Sequence, residues 1–496
     1  MRPFSAVQNQ VTLLMNTDIL IIGGDGDLAL RKLYPAFYYL TLNGSMPENT
    51  RIFGMARTPS EQDQFLFKIN KWLRGSVGVL YDECVWRSFS HCLEFVQGDS
   101  TKAEDLQRFK DNHLEEGRDL IVYMAVRPLI FGKICTNLEA CGLAKPSTRL
   151  VVEKPLGDSK ESFLAIDAEL SRVFSEKQLF RIDHYLGKET VLNLLALRFA
   201  NDIFEPLWNS KHIEYIQITA SETVGCGNRW DFYDQTGALR DMVQNHLLQI
   251  LSLVCMEPPI SLDADFVRTE KLKVLRCLKQ MTKDEVLENT VRGQYREGEI
   301  AGEKVMSYIQ EGGEGAQSDT ETFVAIKAEI DNWRWSGTPI YLRTGKHLKT
   351  RHAEIVIQFK QSHTNVFAEQ RKNQCSNQLV INLQPTEGIY LRVKNMKAGL
   401  DGRFPLEDRS MDLSFPENAP PKKHDAYTRL LYDVIRNDQT LFISEQEVEA
   451  AWDWIDTIRA GWEGSSPAPY VSGSEGPKEA DELLAREKHC WNTDID

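Results

Sequence analysis

The stretch DILIIGGDGDLA, at residues 18–29, decides the fold of the first part of the chain. A short apolar run that ends in glycines predicts a buried strand turning directly into a helix. Gly24, Gly26 and Ala29 fit the pattern G-x-G-x-x-A, whose small residues let the backbone approach a pyrophosphate at the helix N-terminus. A plain tight turn is the alternative interpretation of so short a pattern.

Segments of strand and helix character alternate from residue 18 to about residue 185, and this context favours the nucleotide site. The further strand-like runs are RIFGMA (51–56), DLIVYMAV (119–126) and RLVVE (149–153), with helical periodicity at 27–42, 60–73, 101–116 and 129–141. Such alternation predicts a parallel sheet covered by helices. We therefore expect an α/β, Rossmann-like dinucleotide-binding domain over residues 18–190, preceded by an N-terminal extension at 1–17.

The chain after residue 190 predicts a different architecture. Helical patterns at 189–201, 235–254, 425–437 and 445–458 flank runs at 212–222, 320–330, 338–344, 353–359 and 388–395 in which apolar and polar residues alternate. Such alternation is typical of half-buried antiparallel strands. We expect a larger α+β domain with a mainly antiparallel sheet over residues 191–496. The segment from Gly464 is rich in Gly, Ser and Pro, which predicts a tail on the surface.

Length, composition and charge exclude several classes of protein. The chain has 496 residues, 42% hydrophobic and 26% charged, which indicates a globular protein too long for one core. The net charge of −14 argues against nucleic acid or an anionic membrane as a partner. No apolar run reaches the roughly 18–20 residues of a membrane helix, and no secretion signal is recognisable. The nine cysteines lack metal spacing, so we expect a cytoplasmic protein with reduced thiols and no bound metal.

Arg57 stands directly after the second predicted strand, where the identity of the nucleotide is read. An acidic residue at this position would hold the ribose 2′-hydroxyl of NAD, whereas an arginine suits the 2′-phosphate of NADP. A solvated surface arginine is the alternative interpretation. The sequence therefore favours NADP and leaves NAD use open.

Two segments carry residues suited to chemistry on a phosphorylated sugar. His184 and Lys188, in RIDHYLGK (181–188), could together clamp a phosphate, although structural roles are the simpler interpretation of the isolated pattern. His246 lies among apolar residues of a helical pattern and would by default be a core histidine. The same setting suits a general base for a sugar hydroxyl, if Asp183 or Asp241 supplies an orienting carboxylate.

Seven segments, taken in order, resemble the glucose-6-phosphate dehydrogenase family. They are GGDGDLALRKLYPAFY (23–38), VVEKPLG (151–157), RIDHYLGK (181–188), RDMVQNHLLQ (240–249), RGQY (292–295), DNWRWSGTPIYLRTGK (331–346) and WDWID (452–456). RIDHYLGK and MVQNHLLQ are highly specific to that family. The resemblance implies oxidation of D-glucose 6-phosphate at C1 to 6-phospho-D-glucono-1,5-lactone with hydride transfer to NADP+, the first step of the oxidative pentose phosphate pathway.

The resemblance also implies roles for individual residues. His246 aligns with the general base that removes the C1 hydroxyl proton, and Asp183 with the carboxylate that orients this base. The implied substrate contacts are His184 and Lys188 for the phosphate, and Lys154, Glu222, Asp241, Lys346 and Arg351 elsewhere. The implied cofactor site comprises Gly23, Gly24, Asp25, Gly26, Asp27, Leu28, Ala29, Arg57, Asp99 and Lys154.

Members of the family are commonly homodimers or homotetramers, so the resemblance implies a homo-oligomer. Asp25 departs from the family, which usually has a small or hydroxyl residue beside the pyrophosphate, and a carboxylate there is electrostatically unfavourable.

Two alternative functions remain. One is a catalytically inactive NADP-binding sensor or scaffold, and the other is a dehydrogenase for another hexose 6-phosphate or a broader set of sugars. Comparing kcat/KM across sugars separates these alternatives.

Overall fold

The computed structural model describes residues 16–361, 367, 376–398, 405–414 and 425–492. The chain divides into two compact units, the first formed by Met1–Leu156, Ala165–Ile182 and Lys422–Phe442, the second by Gly157–Leu164, Asp183–Pro421 and Ile443–Asp496. Nearly all of the expected N-terminal extension, 1–17, lies outside the described residues. The domain ranges 18–190 and 191–496 stay predictions. No helix in the described ranges has the length and apolar character needed to cross a membrane.

Strands and helices are numbered separately along the chain. The strands are β1 (Thr17–Ile22), β2 (Arg51–Ala56), β3 (Leu93–Gln97), β4 (Asp119–Met124), β5 (Arg149–Val152), β6 (Leu179–Arg181), β7 (Ile213–Ser221), β8 (Thr290–Arg296), β9 (Gly298–Ile300), β10 (Glu303–Val305), β11 (Phe323–Ala328), β12 (Ile340–Gly345), β13 (His352–Phe359), β14 (Gln378–Gln384), β15 (Gly388–Met396), β16 (Leu406–Asp412) and β17 (Ala468–Val471). The α-helices are α1 (Tyr34–Leu42), α2 (Gln62–Val77), α3 (Glu83–Ser90), α4 (Ala103–His113), α5 (Phe131–Ala140), α6 (Lys160–Ser171), α7 (Glu189–Phe199), α8 (Trp230–Asp234), α9 (Leu248–Cys255), α10 (Ala264–Arg276), α11 (Lys283–Asn289), α12 (Tyr308–Glu311), α13 (Ala426–Ile435), α14 (Glu445–Gly461) and α15 (Lys478–Ala485). Two π-helices occupy Ala29–Leu33 and Leu239–Leu247.

The first unit is built on a six-stranded parallel sheet in the order β3-β2-β1-β4-β5-β6. All six residues of β1 are buried, as a strand covered by helices on both faces requires. This order is that of a dinucleotide-binding sheet, which confirms the predicted Rossmann-like fold. Helix α13 packs against α1 within this unit, although most of the second unit separates the two helices along the chain.

The second unit contains a nine-stranded sheet in the order β16-β15-β14-β13-β7-β12-β11-β8-β17. Two neighbouring pairs, β7 with β12 and β8 with β17, are parallel, and the other pairs are antiparallel. The prediction of a mainly antiparallel sheet in an α+β domain is therefore confirmed.

The expectation of half-buried strands is wrong for the centre of this sheet, where every residue of β12 and all but the last of β13 are buried. One face packs against the π-helix Leu239–Leu247, which contacts both β7 and β12. On the other face Tyr215 and Tyr341 share an apolar cluster with Trp491, near the end of the described chain. Because side chains of a strand alternate between its faces, covering both faces buries the polar positions too.

The expectation of a surface tail from Gly464 is also wrong. Strand β17 pairs in parallel with β8, and Tyr470 within it is only 3% exposed. Helix α15 adds Leu483 and Leu484 to the cluster under the sheet. Glycine, serine and proline in this segment form the turns between short buried elements.

Candidate active site

The glycine-rich turn after β1 lies close against β2 in the first unit. The backbone N–H groups of Gly23 and Gly24 both donate to the carbonyl of Met55 at 3.0 Å. A Cβ atom on Gly24 would stand 2.4 Å from the Cα of Gly54, and Gly23 has a φ of +85°. Neither position accepts a side chain without moving the backbone, so the glycines hold the turn flat enough for a ligand to reach the start of the helix.

The other predicted nucleotide residues lie at the same edge of the parallel sheet. Arg57 follows β2 directly and is exposed, and Asp99 comes two residues after β3. Hydrogen bonds from Thr101 lower the pKa of Asp99, and the charge of Arg57 lowers it further. Carboxyl ends of adjacent parallel strands meet at one edge, where dinucleotides bind. The structure thus brings the glycine turn, Arg57 and Asp99 together, while Lys154 follows β5 in the same sheet.

In the second unit a π-helix, Leu239–Leu247, carries two of the predicted site residues, Asp241 and His246. These residues are five positions apart, which is the hydrogen-bonding repeat of a π-helix, so both lie toward one face. At the start of the helix, the N–H of Leu239 donates to a side-chain oxygen of Glu321 at 3.1 Å. A run of π-helix is rare and is frequently found at functional sites.

His246 forms a buried pair with Asp183. Its Nδ1 lies 2.5 Å from Oδ1 of Asp183, and each side chain is 1% exposed. The same carboxylate oxygen accepts the backbone N–H of Tyr185 at 2.9 Å. A hydrogen bond from Nδ1 to a carboxylate fixes the imidazole tautomer and leaves Nε2 as the nitrogen that can accept a proton. The arrangement is that of an oriented general base.

Two aromatic rings, those of Tyr185 and His184, contact the imidazole of this pair. The ring of Tyr185 stacks on His246 with centroids 4.4 Å apart, and His184 meets His246 edge-on at 4.5 Å. Burial, followed by the nearby charges of Glu222 and Asp183, raises the pKa of Tyr185, so its hydroxyl stays neutral. Tyr185 is not among the predicted site residues, although its place inside RIDHYLGK was a signal that could have found it.

Lys188 lies at the N-terminus of α7, where backbone N–H groups and the helix dipole favour an anion. Its Nζ donates to the carbonyl of Leu383 at 3.2 Å and lies 5.4 Å from the ring centroid of Tyr185. Glu387 accepts both the N–H and the hydroxyl of Thr190 in the first turn of this helix. His184 and Lys188 therefore both lie near the ring of Tyr185, with centroids 5.0 Å apart for His184 and Nζ 5.4 Å from the centroid for Lys188.

The remaining predicted sugar contacts come from the parallel pair β7 and β12. Because Ser221 pairs with Gly345 in register, the residues that follow them, Glu222 and Lys346, meet at the same edge. Nζ of Lys346 lies 2.6 Å from a carboxylate oxygen of Glu222. The charges of Asp241 and Arg351 also reach Tyr185, where Arg351 lowers the pKa of the phenol against the larger effect of burial. The carboxylates of Glu222 and Asp241 and the cations of Lys346 and Arg351 thus belong to one cluster of charges around Tyr185.

The same cluster contains groups that could ligate a cation. Ligand atoms of Asp183, His184 and His246 all lie within 4.8 Å of one another. Two imidazoles and a carboxylate suit a divalent transition metal. The short bond between Asp183 and His246 is equally suited to orienting a general base, a task for which no ion is needed.

Family models match nearly the whole chain. The model described as "Glucose-6-phosphate dehydrogenase, NAD binding domain" matches residues 20–193, and that described as "Glucose-6-phosphate dehydrogenase, C-terminal domain" matches residues 195–492.

Individual relatives agree with these matches. The chain is 46% identical over 494 residues to the glucose-6-phosphate 1-dehydrogenase of Rhizobium meliloti (strain 1021), covering 99% of this chain and 100% of the relative. It is 43% identical to that of Dickeya dadantii (strain 3937), covering 96% and 97%. A solved glucose-6-phosphate dehydrogenase in complex with glucose 6-phosphate is 32% identical with a TM-score of 0.87, covering 97% of this chain and 99% of that one. The Mycobacterium avium glucose-6-phosphate 1-dehydrogenase has a TM-score of 0.82 at 32% identity, covering 96% and 99%.

Proposed function

The chain belongs to the glucose-6-phosphate dehydrogenase family, and from this premise we propose how its residues divide the work of the reaction. The reaction is the oxidation of D-glucose 6-phosphate at C1 to 6-phospho-D-glucono-1,5-lactone, with hydride transfer to a nicotinamide cofactor. It requires one proton to be removed, one dianion to be held and two substrates to be positioned. The residues of the second unit offer groups for the proton, the phosphate and the sugar, and those of the first unit offer groups for the cofactor.

His246 is the general base, and the 2.5 Å contact of its Nδ1 with Asp183 is the observation that carries this assignment. Nε2 takes the proton of the C1 hydroxyl as the hydride leaves C1. Asp183 holds the ring and stabilises the imidazolium that results, without itself taking the proton. A positioned base of this kind typically contributes about 10²–10⁴ in rate. The bound nicotinamide supplies the hydride acceptor.

His184 and Lys188 hold the phosphate at the start of α7. Two cationic or hydrogen-bonding side chains and the helix N-terminus together match a dianion. The phosphate is remote from C1, so its binding energy serves to orient the sugar over the base.

Glu222, Asp241, Lys346 and Arg351 contact the sugar hydroxyls. The 2.6 Å pair of Glu222 and Lys346 supports this role, because it presents an acceptor and a donor side by side. Lys154 is proposed as a contact shared by sugar and cofactor, a role that rests on its motif alone.

We propose NADP+ as the cofactor, held by residues 23–29, Arg57 and Asp99. The close approach of Gly24 to Gly54 supports this assignment, because a Cβ on Gly24 would collide with the backbone of β2 and so only glycine keeps the tight turn that a dinucleotide fingerprint requires. Arg57→Ala should weaken NADP+ much more than NAD+, since only NADP carries the 2′-phosphate. Equal losses for both cofactors would reject Arg57 as the discriminating residue. NAD+ use is a second outcome of the same measurement.

A homodimer or homotetramer in the cytoplasm is also proposed, from family membership. Sedimentation of the purified protein tests the oligomeric state, and fractionation of the source cells tests the location. Glucose 6-phosphate is the proposed small-molecule partner, without nucleic acid or membrane.

The central test is a steady-state assay of the purified protein with glucose 6-phosphate, free glucose and other hexose 6-phosphates, each with NADP+ and NAD+. We expect turnover with glucose 6-phosphate and a large loss with free glucose. His246→Asn should abolish turnover while largely preserving sugar-phosphate binding by calorimetry. Cofactor binding without turnover on any sugar would instead support the sensor or scaffold, and near-normal kcat in His246→Asn would reject the assignment of the base.

A further inference from the structure

A second polar pocket of about 410 Å³ opens in the second unit, outside the residues assigned to sugar or cofactor. Three arginines from three different elements line it: Arg240 from the π-helix, Arg292 from β8 and Arg459 from α14. Leu239 and Trp462 supply apolar wall. Convergence of three guanidinium groups on one cavity calls for a physical explanation, because like charges repel.

Two of these arginines have no carboxylate in an ion pair within the described part of the chain. Nε of Arg240 donates to the carbonyl of Thr236 at 2.5 Å. Arg292 donates to the carbonyls of Asp319 and Ser465, and its buried Nε has no hydrogen-bond acceptor among the described residues. Partly buried charges are normally compensated by an opposite charge. Here the pocket stands where the compensating anion would lie.

Burial outweighs the nearby carboxylates at two of these arginines. Burial lowers the pKa of Arg240, and the positive charge of Arg459 lowers it further. Burial likewise lowers the pKa of Arg292. An anion bound between the guanidinium groups would oppose both effects, since it stabilises the charged form.

The acidic residues around the pocket compensate these groups only in part: the charge of Glu321 raises the pKa of both Arg240 and Arg292, but the net shift of each pKa is downward. Glu321 is buried and its carboxylate accepts the N–H of Leu239, while burial raises its pKa. Asp319 and Glu463 are exposed at the rim, where water screens their charge. Of the three arginines, Arg459 forms an ion pair within the described ranges, to Asp456 at 2.8 Å.

We propose that this pocket is a binding site for a small phosphorylated anion, distinct from the site of the substrate phosphate. Guanidinium groups match phosphate oxygens through paired, charge-assisted hydrogen bonds, which favours phosphate over a simple carboxylate. A volume of about 410 Å³ admits a pyrophosphate or a small phosphorylated metabolite.

The site is connected to the sugar contacts by short covalent and hydrogen-bonded steps. Arg240 directly precedes Asp241 on the π-helix. Glu321, which binds the first turn of that helix, precedes Thr322, whose carbonyl accepts the N–H of Lys346 at 2.9 Å. An anion that binds the side chain of Arg240 and shifts it acts on the same stretch of backbone that positions Asp241. Occupancy therefore changes the affinity for the sugar, which makes the pocket an effector site.

The test uses inorganic pyrophosphate as the probe, in metal-free, phosphate-free buffer, with the full-length enzyme saturated in glucose 6-phosphate so that the catalytic phosphate site is filled. Isothermal titration calorimetry should show a binding event that Arg292→Gln weakens by about 10- to 100-fold, as expected for loss of a charge-assisted hydrogen bond. Arg459→Gln should weaken the same event, which keeps the test decisive if one variant folds poorly. The matched control is Arg296→Gln, an exposed arginine on the same strand outside the pocket.

Pyrophosphate bound at the cofactor turn would be retained in both pocket variants, so it is distinguished from the proposed site. Unchanged stoichiometry and affinity in Arg292→Gln and Arg459→Gln would overturn the proposal. For the effector role, pyrophosphate should change the KM for glucose 6-phosphate in the wild type and not in Arg292→Gln. If Arg292→Gln loses pyrophosphate binding but pyrophosphate has the same effect on the KM of the wild type and of the variant, the effector role is refuted. Calorimetry reads binding alone, so failure of the assigned catalytic roles would leave this result intact.

Discussion

Replacing Asp183 by asparagine isolates the charge of the buried pair, because the two side chains have nearly the same shape. The wild-type carboxylate lies 2.5 Å from Nδ1 of His246, and both groups are 1% exposed. With charge centres about 4 Å apart and an effective dielectric constant near 20, the attraction to the imidazolium is about 4 kcal/mol. That energy corresponds to about 10³-fold in rate. An amide that donates to Nδ1 would also select the wrong tautomer, which extends the expected loss to about 10⁴-fold.

The assay is steady-state kcat and KM with glucose 6-phosphate and NADP+. The loss should fall on kcat, with KM for the sugar phosphate changed little, because Asp183 is not one of the proposed phosphate ligands. Asp433→Asn serves as the matched control, since Asp433 is a buried aspartate of the first unit with no assigned role. Thermal unfolding of both variants checks that the fold is kept. A kcat for Asp183→Asn within tenfold of wild type would refute the assignment of Asp183 to proton transfer.

Three further substitutions test other parts of the molecule. Lys188→Gln should raise the KM for glucose 6-phosphate by about 10- to 100-fold in steady-state assays, because it removes a charged phosphate ligand, and an unchanged KM would remove Lys188 from the clamp. Burial lowers the pKa of His352 from 6.5 to about 4, so the stability that depends on the neutral imidazole is present above pH 6.5 and lost as the pH falls toward 4. In urea titrations, His352→Gln should therefore flatten the fall in unfolding free energy between these pH values. An identical fall in both proteins would contradict this. Lys271→Met leaves the buried carboxylate of Glu447, 2.8 Å away in the wild type, without its cation and should cost about 3–5 kcal/mol in the same titration, whereas Lys273→Met, which breaks an exposed pair, should cost about 0–1 kcal/mol.

Local sequence patterns, each only a few residues long, were sufficient to predict the fold of the first unit. The strand β1 ends in glycines that the local geometry demands, because a Cβ on Gly24 has no room beside Gly54. The neighbouring apolar runs then fixed a parallel sheet, since strands alternating with helices have few other ways to bury their apolar faces. Position along the chain placed Arg57 at the edge where the nucleotide is read.

The second unit was predicted less completely, because its sheet joins distant strands. Alternation suggested half-buried strands, yet β12 is buried along its whole length and β13 at all but its last residue. No local pattern announces that β7 and β12 run parallel, although this pairing is what brings Glu222 to Lys346. A segment rich in Gly, Ser and Pro similarly concealed the buried Tyr470.

The sequence by itself determined the family, the dinucleotide fold and the candidate residues, because these depend on residue types at fixed short spacings. Residue patterns alone left both Asp183 and Asp241 as possible partners of His246, and the family resemblance favoured Asp183. The tertiary structure supplies the contact itself, by placing Asp183 2.5 Å from His246 across 63 positions of chain. It also stacked Tyr185 on the base and gathered three arginines around one cavity. Such contacts depend on how separate elements pack, and the spacing of residues along the chain does not determine the distances between packed elements.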